Sequence, residues 1–106
     1  MAYSLPIEFY FIAHNSKMSL SEATLVLKYG PTGSLFAGYV HFMKEGATLP
    51  ANKVSPFNIF YMPIARLADV MSTLRHEKPL YLWVGDAPDY PCSIGTTSPE
   101  PIGDED

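Results

Sequence analysis

Apolar residues recur at three- and four-residue steps in one stretch of the chain and at two-residue steps in most of the rest. In the first pattern Ile64, Leu67, Met71 and Leu74 share one face of a predicted helix over residues 63–75, and Arg66, Asp69, Ser72 and Thr73 take the other side. Pro63 suits the first helical position, where a missing N–H costs nothing. Pro79 stops the helix and pushes Lys78 towards an extended conformation. Short apolar runs flank this helix at 57–62 and 80–84, and both read as strands.

The two-residue pattern starts at residues 7–13, a run rich in aromatic and β-branched side chains. Ile7, Phe9, Phe11 and Ala13 fall on one face, and Glu8, Tyr10, Ile12 and His14 on the other. Residues 18–22 fit either a short helical turn or the approach to the next strand. That strand covers 24–29, and Gly30-Pro31-Thr32-Gly33 is a turn signal that returns the chain into a long strand over 34–44. Gly38, in the middle of it, marks a bend or bulge. Residues 45–56 and 85–91 read as loops punctuated by Gly, Pro, Asn and Asp, and 92–97 as a short last strand.

The sum is an α+β fold: an antiparallel or mixed sheet of about five strands, a three-stranded meander followed by β-α-β, with one main helix packed on one face. One helix covers one side of a sheet. The other side is left to display residues from the set Tyr10, Ile12, Val26, Lys28, Phe36, Val40 and Phe42, and such a surface calls for a second copy, a partner or a ligand. Tyr10, Lys28, Tyr39 and Phe42 are the expected binding surface. Trp83 is expected in the core, alternating with Leu82 and Val84.

Charge adds one feature to this picture. Residues 1–84 hold all seven Lys and Arg against five acids, a balance of 7 − 5 = +2, whereas 85–106 hold six acids and no Lys or Arg, or −6. Residues 1–97 are therefore expected to form one domain and 98–106 an acidic, flexible tail whose Asp104, Glu105 and Asp106 offer a contact to a basic partner. With 47% hydrophobic residues and no run near the ~20 needed to span a bilayer, the chain reads as folded and without a membrane segment. Its first residues lack the basic start and apolar core of a secretory signal, and a single cysteine permits no disulfide framework. The expected setting is cytoplasmic.

Candidate chemistry is sparse. Cys92 sits between Pro91 and Ser93 in an acidic stretch, with no local group to lower its pKa. His14, His41 and His76 stand far apart, without the grouped spacing of a metal site, so no metal and no cofactor is expected. The glycines lack the Gly-Lys-Ser/Thr ending of a phosphate loop. No acid pair is placed for catalysis. The sequence therefore reads as a non-catalytic accessory, adaptor or inhibitor acting through protein–protein association as a homodimer. The alternative is a single-stranded nucleic-acid binder using aromatic and Lys side chains on the open sheet face, and the third reading is a small enzyme using Cys92 or a histidine.

Overall fold

The structure, a computed structural model, describes residues 2–16, 20–55 and 57–96. Seven strands and one helix follow in the order β1 (Tyr3–Ile7), β2 (Phe9–His14), β3 (Ser21–Tyr29), β4 (Leu35–Met43), β5 (Ile59–Pro63), α1 (Leu67–His76), β6 (Leu80–Val84) and β7 (Cys92–Gly95). The α+β class and the single main helix agree with the sequence pattern. The strands, however, form two sheets: an antiparallel one ordered β1-β6-β7, and a mixed one ordered β2-β3-β4-β5 in which β4 and β5 run parallel.

The second sheet arises at Glu8. The apolar run 7–13 is not one strand, because Ile7 pairs with Leu80 in one sheet and Phe9 with Lys28 in the other. Glu8 is held at the crossing by its own N–H, which donates to the Lys28 carbonyl (3.0 Å), and by its carboxylate, which accepts from the Gly30 N–H (2.8 Å). Period-two alternation is the same on both sides of such a crossing. It cannot say that the pairing partner changes.

The β3–β4 hairpin forms where the turn signal stands. The Gly33 N–H donates to the Gly30 carbonyl, and Gly33 adopts a positive φ of 72° with the Phe9 ring so close that an added Cβ would sit 3.0 Å from it. Further along, Lys28 opposes Phe36 while Leu27 opposes Gly38, so Ala37 is an extra residue and the bulge lies beside Gly38 as anticipated. Asn58 satisfies the bulge, its Nδ2 donating to the Ala37 carbonyl (2.8 Å).

The helix begins as a 3-10 turn over Ile64–Arg66. Pro63 is the extended last residue of β5 (ψ 148°), so it caps that turn instead of opening it. Val70 and Met71 are buried, and Ile64, Leu67 and Leu74 pack against the core, which bears out the predicted face. Each such side chain contributes about 1.5–3 kcal/mol when fully buried. Glu77 turns extended after it. Its flanking strands β5 and β6 belong to different sheets, so the expected β-α-β unit within one sheet does not form.

The core lies between the sheets. Leu25, Leu27, Val40, Phe42 and Phe60 face Leu80, Leu82 and Val84, with the helix closing one side. Asn52 ties the layers together, donating to the Tyr90 carbonyl (2.9 Å) and accepting from the Tyr61 N–H (3.1 Å). Trp83 is not in the core. β6 is covered on one side only, and its alternation turns Tyr81 and Trp83 outward, leaving Trp83 41% exposed.

Candidate functional site

Cross-strand register decides which side chains share the outer face of the four-stranded sheet. One row runs Phe11, Val26, Tyr39, Ile59 and, through a two-way backbone bridge, Lys53; the next runs Ala13, Thr24, His41 and Tyr61; a third holds Phe9, Lys28 and Phe36. Neither the three-stranded sheet nor the helix lies on this side. Phe11, Phe57 and Phe9 are 57%, 55% and 44% exposed.

The rings form a continuous band. Phe57 meets Phe36 edge-on at 5.9 Å, Phe36 meets Tyr39 at 4.6 Å, Tyr39 stacks on His41 at 6.3 Å, and His41 stacks on Tyr61 at 5.6 Å. Offset and edge-on pairs at these separations stabilise one another and hold the rings in place. One polar cluster interrupts the band. His41 Nδ1 lies 3.1 Å from Thr24 Oγ1 and 3.4 Å from Ser21 Oγ, and the Asn15 amide donates to both hydroxyls.

Partial burial holds the His41 pKa below its ordinary value of 6.5. The unfolded chain therefore binds this proton more readily than the fold does. His41's contribution makes stability fall as pH drops through 6.5 towards the lowered folded value, with no further change below it. Denaturant unfolding of the parent and of His41→Gln, above and below pH 6.5, checks this. The parent should lose more stability on acidification than the variant, and equal losses would contradict the assignment.

Lys28 and Lys53 stand at the margins of the band. Of the described residues paired across β2 to β5 that turn outward, none is Asp or Glu; the exposed Glu22 is the extra residue at the irregularity between Ser21 and Ala23 of β3, outside that register. The face is thus aromatic with a mildly basic rim.

Of the four residues expected to form a binding surface, the structure places Lys28 and Tyr39 here. The other two are corrected. Phe42 is fully buried on the inner face opposite Met62, and Tyr10, opposite Leu27, packs half-buried against the core. Of the set expected on the uncovered side, Ile12 and Val40 also turn inward, whereas Val26 and Phe36 turn outward. Asp104, Glu105 and Asp106 lie outside the described residues. Phe9, Phe11, His41, Lys53, Phe57 and Tyr61 were not singled out as a surface, because only pairing across four strands brings them together.

No protein-family model, curated protein or solved structure matches the chain. Function has to be read from the molecule itself. Cys92 is half-buried on the core side of β7, and burial pushes its thiol up to about 11, so it is a protonated, weakly nucleophilic group near neutral pH. His76 is occupied at the helix end, its Nδ1 3.0 Å from the Ser72 carbonyl. No group of three His, Cys, Asp or Glu among the described residues could hold a metal ion. No helix among them is long and apolar enough to cross a membrane.

Proposed function

We propose that the protein is a non-catalytic association module, an accessory subunit, adaptor or inhibitor, that works as a homodimer and offers the outer face of its four-stranded sheet as a contact surface. The observation that carries this reading is the half-exposed ring band from Phe57 to Tyr61, continuous with the exposed Phe9, Phe11 and Phe57 on one sheet face. Pre-ordered aromatic side chains lose little entropy on binding and dominate the energetics of protein interfaces. Size-exclusion chromatography with light scattering, in low and in high salt, tests the homodimer. A dimer that persists in high salt supports apolar association, whereas a monomer in both overturns it.

One observation favours a second reading. Lys28 and Lys53 beside the aromatic band, on a face whose register-paired residues among those described include no carboxylate, suit single-stranded nucleic acid, with bases stacked on the rings and phosphates at the rim. Titration with a single-stranded oligonucleotide decides it: binding that weakens steeply with salt, and strengthens when the acidic residues 98–106 are deleted, supports this reading. Absence of binding at low salt removes it.

A further inference from the structure

The four-stranded sheet ends on one side at β2, whose partner is β3. The Asn15 N–H donates to the Glu22 carbonyl (2.8 Å), continuing the ladder beyond β2. Antiparallel alternation then turns the backbone groups of Phe9, Phe11 and Ala13 towards β3, and those of Tyr10, Ile12 and His14 towards the open edge.

An unpaired edge is a hazard that proteins normally blunt with proline, charge, a bulge or a covering segment. The other three edges show such devices. The outer side of β5 is bonded both ways to Lys53 at 2.9 Å, β1 contains Pro6, and β7 is four residues long and preceded by Pro91. Among the described residues β2 has none of them: Phe-Tyr-Phe-Ile-Ala-His carries no Lys, Arg, Asp or Glu, no proline, and no register shift against β3, and no described segment pairs with its outer side. Beside its first residues lies a groove of about 470 Å³ lined by apolar residues such as Ile7, Tyr10 and Leu74 and by the charged Glu8, Arg75, Glu77 and Lys78, which leaves room at the start of the edge and keeps the charges short of Ile12.

We propose that this edge is closed by β2 of a second copy, running antiparallel about a two-fold axis at Ile12. The inference rests on the homodimer reading above and names its joint. Centring on Ile12 sets Ile12 against itself and Tyr10 against His14 of the second copy, so all three outward N–H groups of each chain find carbonyls; a shift by one pair in either direction leaves one of them unpaired. Self-pairing opposes no like charges, since the strand has none. On the outer face it sets Phe11 beside the small Ala13 of the other copy. The joint turns two four-stranded sheets into one of eight and makes the two aromatic bands one continuous surface, still free for a partner. A same-on-same contact of this kind closes at two copies.

Light scattering on three proteins, with one cross-linking experiment, tests the joint. His14→Pro removes an outward N–H at an exposed strand end without touching the bonds to β3, and should raise the dimer dissociation constant roughly tenfold or more, as expected for lost hydrogen bonds at both ends of the joint. Tyr39→Glu, on the outer face, should leave the dimer intact. A Phe11→Cys, Ala13→Cys double variant should oxidise to a covalent dimer while either single variant does not, and this holds as a test even if His14→Pro fails to fold. A parent dimer lost in Tyr39→Glu but kept in His14→Pro, or a double variant that gives no covalent dimer, overturns the β2 joint and leaves the homodimer standing. A monomeric parent overturns the homodimer reading itself, and the joint with it.

Discussion

Phe42→Ala is expected to destabilise the protein by about 3–5 kcal/mol, enough to leave a domain of ordinary stability only marginally folded. Phe42 has no exposed surface. It stands on the inner face of β4 opposite Met62 and Ala23, in the layer that meets the helix and the three-stranded sheet. Truncation removes the transfer free energy of the ring and leaves a cavity that the paired strands on either side cannot collapse to fill. Tyr39→Ala, three residues earlier on the outer face, is the control. It should cost far less, because Tyr39 is half-exposed and its lost contacts are with other surface rings. Chemical denaturation of the two variants gives the comparison directly, and a Phe42→Ala loss no larger than that of Tyr39→Ala would mean that β4 is turned the other way.

The second large effect is expected at Gly38. A Cβ there would lie 3.2 Å from Leu82 Cδ2, 3.3 Å from Asn58 Cβ and 3.4 Å from Phe60 Cε2, so an alanine is tight and a valine overpacks the meeting point of the two sheets. Gly38→Val should cost about 1–3 kcal/mol, and more if Asn58 is displaced from its 2.8 Å bond to the Ala37 carbonyl, which leaves a buried acceptor unsatisfied. Leu82→Ala in the same chain vacates the space that the valine needs. The double variant should therefore lose less than the two single losses added together, and strict additivity in denaturant melts would show that residue 38 and Leu82 do not compete for the same volume.

Both predictions concern β4, and they show where local pattern stopped being informative. The alternation of 34–44 was plain, but Ala37 is inserted as a bulge, so the simple odd-and-even faces do not hold along the whole strand: Phe36 and Tyr39 both turn outward. Gly38 was recognisable as a weak point in a strand. Its second role, admitting Leu82 from a strand more than forty residues away, depends on a contact with no trace near residue 38. The candidate surface was legible in kind, an uncovered aromatic sheet face, but only Lys28 and Tyr39 of its four expected members lie on it. Face assignment needs the register of every neighbouring strand, and one slip of a residue exchanges the two faces.

The amino-acid sequence by itself determined the features that depend on neighbours in the chain. These are the apolar stripe and extended exit of α1, the glycine turn that closes β3 on β4, the bulge beside Gly38, and a surplus of apolar side chains over what one helix can cover. Each follows from backbone torsions and spacings fixed within a few residues. The tertiary structure alone decided that the run 7–13 divides at Glu8 between two sheets, that β5 and β6 part company across the helix, and that Trp83 points outward while Phe42 is enclosed. Those outcomes are choices among pairing partners far apart in sequence. A strand's alternation makes it fit to pair and to bury one face, but which strand it pairs with and which layer covers it are settled by the packing of the whole chain.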